Sequence, residues 1–166
     1  LPLTDIIMAR LDDPKYGDIV TVSSPKDGTR LTKRIVALPG DLVEMRREVL
    51  FVNGKAASYS DPEPRLEPVA PGIAKNALQL TETMDGEARR IQLLDGVPAR
   101  NTFGPVRVPT GNFLMLGDNR DNSADSRYFG FVPRHLIIGQ AHRILVSADI
   151  KDTWRPRLDR FGEKLP

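Results

Sequence analysis

The sequence has 166 residues and no cysteine. That rules out disulfides, thiolate metal sites and a cysteine nucleophile, while leaving the redox compartment open. Histidine is nearly as scarce. The two present, His135 and His142, lack any HExxH-like spacing, so no zinc site is expected. No stretch approaches the ~20 apolar residues needed to span a bilayer, and no signal-peptide pattern follows the first residue, Leu1. An excess of one charge is also missing: 24 Lys and Arg against 22 Asp and Glu leave a net charge of +2. A nucleic-acid surface needs its cations clustered on one face. Here they are scattered, and the pairs Arg46-Arg47 and Arg89-Arg90 read as solvated strand or turn residues.

What remains is an ordinary folded composition, 40% hydrophobic and 28% charged. Fourteen prolines and thirteen glycines break the chain at short intervals, so helices are expected to be few and short. Alternation with period two dominates. GDIVTVSS (17–24) reads as a strand, PKDG as a turn and LTKRIVAL (31–38) as a second strand. Asn53-Gly54 and Asp85-Gly86 each lie between extended runs, the strongest short-range hairpin signal. GPVRVPTG, FLMLGD and HLIIGQAHRILVS (135–147) add strand-like segments. The fold expected is mainly β, an antiparallel barrel or sandwich. Between Ala56 and Pro109 the chain is richer in Pro, Glu and Ala and its alternation is thinner. The expected division is therefore a core from 1–55 and 106–150, a mostly surface-lying β-rich insertion over 56–105, and a charged tail over 151–166.

Residues two apart on a strand share a face. Leu31, Lys33, Ile35 and Ala37 thus fall on one side of LTKRIVAL, with Lys33 its only ionisable group. If that face packs inward, the amine loses hydration and its pKa falls. The adjacent cation Arg34 would push it the same way, although that side chain leaves by the other face. A neutral lysine can accept a proton. The same pattern also fits a lysine whose stem packs while its ammonium reaches water.

The run GDNRDNSADSRYFGFVP (117–133) places many polar side chains between apolar stretches. Asp121, Ser123 and Asp125 have the spacing of a calcium loop, but Ser126 stands at the glycine position and Val132 at the glutamate position, so calcium is not expected. Asp118, Arg120, Asp125 and Arg127 suggest internal ion pairs. Such a segment serves equally as a structural scaffold or as the frame of an active site.

GDNRDNSADSRYFGFVP resembles the C-terminal signature of type I signal peptidases, membrane-bound Ser/Lys proteases that remove signal peptides. TKRIVALPGD resembles that family's lysine-bearing segment and PKYGDIVTV the strand before it, in the family's order. The resemblance implies a signal-peptidase-type β core in which Lys33 is the general base and Ser123 orients it. Asp118, Asp125, Arg127 and Arg34 would be supporting residues, with no cofactor and no metal. It implies signal peptides of secretory preproteins and a membrane surface as partners, and no nucleic acid. The implied location is the bacterial inner membrane, with the catalytic domain on the periplasmic face; Trp154 is one candidate for touching lipid. The family's nucleophile lies in an S-x-M-x-P-T motif ahead of the GDIV strand, and no such motif occurs here. The expectation is a fragment of a longer protein, inactive alone; the alternative is a homologue without a nucleophile. Two rival readings are a non-catalytic β module for exported peptides or membrane surfaces, and a relative of the self-cleaving Ser/Lys repressors.

Overall fold

In this computed structural model the described residues are 13–140. Apart from one four-residue helix, α1 (Ser126–Phe129), and one 3₁₀ turn (Arg134–Leu136), the regular elements are strands. In chain order these are β1 (Ile19–Ser23), β2 (Arg30–Ala37), β3 (Leu42–Arg46), β4 (Val49–Val52), β5 (Lys55–Ala56) and β6 (Ser58–Ala70). They continue with β7 (Ile73–Met84), β8 (Glu87–Leu94), β9 (Phe103–Arg107), β10 (Asn112–Leu116), β11 (Val132–Pro133) and β12 (Ile137–Gln140). The mainly β expectation holds.

The strands form three antiparallel sheets, with orders β11-β10-β2-β1-β12, β5-β4-β3-β9 and β6-β7-β8. Strand β2 lies at the centre of the first, with Val20 opposite Lys33 on β1 and Met115 opposite Ile35 on β10. Its later half is buried on both faces. Ile35 joins a cluster with Val20, Val22, Phe113 and Met115, and Val36 joins another with Met45, Leu50, Leu114 and Leu116. Each such fully buried side chain contributes roughly 1.5–3 kcal/mol. The first part of β2, from Arg30 to Lys33, is only half covered. Lys33 therefore sits where the core ends.

Both hairpin signals are hairpins. Asn53-Gly54 joins β4 to β5 and Asp85-Gly86 joins β7 to β8, all four residues at positive φ. The turn from β3 to β4 uses Arg47 and Glu48 at φ 46° and 73°, a conformation that side-chain chemistry at those positions does not announce. The sheet β6-β7-β8 occupies Ser58 to Leu94, inside the stretch expected to be mostly surface. Strand β6 is exposed along most of its length. One face of β7 and β8 is not: Met84 packs into the cluster around Val36, and Glu82 and Arg89 are buried.

Arg89 corrects the reading of the Arg89-Arg90 pair as solvated. It is 3% exposed, because its Nε donates to Glu82 Oε1 at 2.7 Å and the carboxylate neutralises it in the interior. Within HLIIGQAHRILVS, the 3₁₀ turn and β12 account for residues as far as Gln140, and the remainder, with His142, lies outside the described residues.

Candidate active site

The polar run follows directly from β10. Strand β10 is buried from Phe113 to Leu116, and Phe129 and Phe131 on the far side of the run pack against the two core clusters. Apolar anchors at both ends hold the segment against the open end of β2. Asp125 organises it. This fully buried carboxylate caps α1 and accepts four hydrogen bonds. Its Oδ1 takes the Arg127 N–H at 3.2 Å and Nε at 2.9 Å; its Oδ2 takes Arg127 Nη2 at 2.8 Å and the Gly117 N–H at 3.0 Å. Ser126 Oγ accepts the Met115 N–H at 3.0 Å, stitching the helix start back onto β10.

These restraints bring Ser123 onto Lys33, 90 positions apart in sequence, with Lys33 Nζ donating to Ser123 Oγ at 2.9 Å. The approach depends on Gly117. A Cβ placed there would lie 2.1 Å from Ser123 Oγ and 2.5 Å from Ser123 Cβ, so the serine occupies the space of the side chain that glycine lacks.

Lys33 is half-buried. That loss of hydration drives its pKa below the ordinary lysine value; Asp125 pulls it back, Arg127 pushes it down and Asp118 raises it. Arg34, expected to act in the same direction as burial, is not among the groups that move it. The reason is geometric. Its guanidinium leaves by the opposite face and forks onto Asp118, with Nε–Oδ1 at 2.9 Å and Nη2–Oδ2 at 2.8 Å, and it also donates to the Gly17 carbonyl at 3.0 Å. Both carboxylates near the amine are therefore held by an arginine, Asp118 by Arg34 and Asp125 by Arg127. Among the described residues Lys33 forms no salt bridge and its hydrogen-bond partner is a neutral hydroxyl.

All six residues singled out from the sequence, Lys33, Arg34, Asp118, Ser123, Asp125 and Arg127, meet in this region. The ion pairs within the polar run differ from the expected alternation. Only Asp125 with Arg127 pairs inside it; Arg120 reaches Glu82 on β7 at 2.7 Å instead. Sequence reasoning did not single out Gly117, Arg100 or Glu82. Arg100 donates to the Arg127 carbonyl at 2.7 Å, and Arg127 Nη1 donates to the Arg100 carbonyl at 3.2 Å. Ser23 and Ser24 do not approach the lysine: Ser23 pairs with Arg30 across the ladder, and the Ser24 hydroxyl accepts from the Lys26 N–H in a local turn.

An amine held among neutralised carboxylates beside a serine is an arrangement that can take and return a proton. Comparison with known proteins gives the chain a family. The family described as signal peptidase, peptidase S26, matches residues 2–146. The chain belongs to that family. It is 32% identical over 176 residues to signal peptidase I of Pseudomonas fluorescens, covering 98% of this chain and 60% of that protein. To signal peptidase I P of Bacillus subtilis subsp. natto it is 35% identical over 138 residues, covering 82% of this chain and 62% of that protein. Against the probable signal peptidase I-2 of Synechocystis the identity is 34%, with 81% of this chain and 50% of that protein covered. A solved signal peptidase I from Enterococcus faecalis V583 is 31% identical, covers 79% of this chain and 98% of that chain, and superposes with a TM-score of 0.49. The chain thus spans between half and two thirds of the length of these curated relatives.

Proposed function

We propose that this chain is the catalytic portion of a signal peptidase I, a serine endopeptidase that removes N-terminal signal peptides from exported preproteins. The observation that carries the reading is the Lys33–Ser123 contact at 2.9 Å, with each neighbouring carboxylate already held by an arginine. Lys33 is the general base. Ser123 is the positioning hydroxyl, accepting one N–H of the amine so that the nitrogen's lone pair faces a second serine. Asp125 with Arg127, and Asp118 with Arg34, hold the frame.

In a polypeptide that carries the family's S-x-M-x-P-T motif ahead of this chain, that motif supplies the nucleophile. Its hydroxyl oxygen bonds to the carbonyl carbon at the cleavage site while its proton passes to Lys33 Nζ. The same proton then goes to the leaving amine as the peptide C–N bond breaks. Water repeats the sequence on the acyl-enzyme, giving Lys33 a proton that returns to the serine. Desolvation is what makes the amine a usable acceptor, since an ordinary lysine stays protonated near neutrality. The substrate lies extended along a free strand edge.

Among the described residues no helix is long and apolar enough to cross a membrane. Placement at the bacterial inner membrane, with the site on the export face, is part of the same proposal and is supported by family membership. Substrate would arrive there from the bilayer. Trp154, named as a lipid contact from sequence, lies outside the described residues.

The test uses the longer polypeptide and a preprotein substrate. Cleavage is expected, falling by at least about 10²–10⁴-fold in Lys33→Ala, with an unchanged circular dichroism spectrum. Near-normal rates in Lys33→Ala would remove Lys33 from the mechanism.

A further inference from the structure

The polar run that carries Ser123 is tied at one end to Asp125 and along its length to the three-stranded sheet. The Gln92 N–H donates to the Asp118 carbonyl at 2.8 Å, and the Arg120 N–H donates to the Gln92 carbonyl at 2.9 Å. Gln92 and Asn119 form a parallel bridge between these bonds. Two residues further along β8, the Leu94 N–H donates to Asp121 Oδ2 at 2.7 Å. From the middle strand of the same sheet, Glu82 Oε1 accepts from Arg120 Nη2 at 2.7 Å. Arg120 in turn offers its carbonyl to Arg127 Nη2. Residues 118, 120 and 121 are thus each bonded to β7 or β8, and Ser123 follows two positions later.

We propose that Arg120 and Asp121 are positioning residues, through which the three-stranded sheet holds the 117–123 segment so that Ser123 stays seated on Lys33. The role rests on the catalytic reading of Lys33 and extends it. The sheet between Ser58 and Leu94 is then part of the site's frame, and disturbing the bond between Asp121 and Leu94, partners 27 positions apart in sequence, reaches the reacting amine. The groups that face that amine are Ser123, Asp118, Asp125 and Arg127 from the polar run and helix, with Val20 opposite it on β1. A loosened run moves Ser123 away and lets water reach Nζ. The charged form is then better solvated, and the amine titrates nearer the ordinary lysine value of about 10.4.

Titration of Lys33 can be followed in this 166-residue chain by the ¹³Cε shift of labelled lysine, without any nucleophile or substrate. In the unsubstituted chain Lys33 is expected to titrate below the other lysines. Asp121→Ala deletes one side-chain acceptor at a partly exposed site, and the Lys33 titration is expected to move upward, towards that of the other lysines. Asp121→Asn keeps an oxygen acceptor and is expected to recover most of the lowered value. Arg120→Met is the second variant. It leaves Glu82 paired with Arg89, which keeps that buried carboxylate neutralised, and it should raise Lys33 in the same way. If Lys33 titrates unchanged in both Asp121→Ala and Arg120→Met, with both variants folded by circular dichroism, the positioning role is overturned. If instead Lys33 already titrates normally in the unsubstituted chain, it is the catalytic reading that fails.

Discussion

Two polar nodes lie in this molecule, one fully buried around Glu82 and one half-buried around Lys33, and they treat charge in opposite ways. Around Glu82 the carboxylate is fully buried and receives Arg89, Arg120 and the Tyr59 hydroxyl, the last at 2.8 Å. Burial opposes its ionisation, but the two guanidiniums prevail and hold its pKa at about 2. The same surroundings push Tyr59 upward, through burial and the nearby carboxylate. Over the working range of pH the carboxylate stays ionised and the phenol stays protonated. Around Lys33 two carboxylates, Asp125 and Asp118, act on the amine's charge without pairing with it; each is occupied by its own arginine, and the amine is left with a hydroxyl. An ion pair would lock the lysine in its charged form; a neutral partner leaves the proton exchangeable. On the proposed role of Lys33, the contrast separates a group held in one charge state from one left able to change it.

Removing the lock should have the largest effect. Glu82→Gln leaves two buried guanidiniums facing a neutral amide, and about 3–5 kcal/mol of stability should be lost, read as a lower denaturant midpoint at unchanged slope. In the unsubstituted chain the folded pKa of Glu82 lies below its unfolded value of about 4.3. Its contribution is therefore complete above that value and fades as the pH falls towards about 2. The variant should lack this acid dependence.

A smaller effect is expected from Gly117→Ala, which drives a methyl group into Ser123. Overpacking of this kind costs about 1–3 kcal/mol. The sharper outcome is at the other node: Ser123 must move off Lys33, and protease activity in the longer polypeptide should fall more than stability does. The smallest change, and one of opposite sign, is expected for Lys33→Met. The lysine's folded pKa is lowered, so holding its charged form half-buried is a penalty at all lower pH. Stability then rises with pH through the window from the folded value up to the unfolded value near 10.4. Methionine removes the penalty, and the melting temperature near neutrality should increase by about 2–4 °C, with the gain shrinking as the pH approaches 10.

Much of this was legible from residue order. Period two placed Lys33 on an apolar strand face, the Asn-Gly and Asp-Gly pairs marked their hairpins, and the polar run between apolar anchors stood out as a scaffold or as the frame of a candidate site. The second node escaped notice although it obeys the same rule. In LQLTETM, Glu82 shares a face with Leu78, Leu80 and Met84, and Arg89 shares one with Ile91 across the turn. A lone acid on one strand and a lone base on the next, both on the inward side, are the sequence trace of a buried ion pair. What alternation could not supply is which partner each charge takes. Arg34 with Asp118 and Arg120 with Glu82 join positions 84 and 38 apart, and local pattern carries no information over such separations. The Arg47-Glu48 turn was hidden for a different reason: neither side chain favours positive φ, and the surrounding sheet imposes it.

Gly117 and Ser123 jointly fill one small volume, so neither position can drift by itself. The missing Cβ of Gly117 would lie 3.6 Å from Lys33 Nζ, close enough that a short side chain rooted at 117 could deliver an oxygen to the same spot. Exchanging the pair, with Gly117→Ser and Ser123→Gly made together, would move the root of the hydroxyl from one backbone segment to another. A mutational library that varies the two positions singly would find each intolerant and would miss that both answer to a single constraint on one volume.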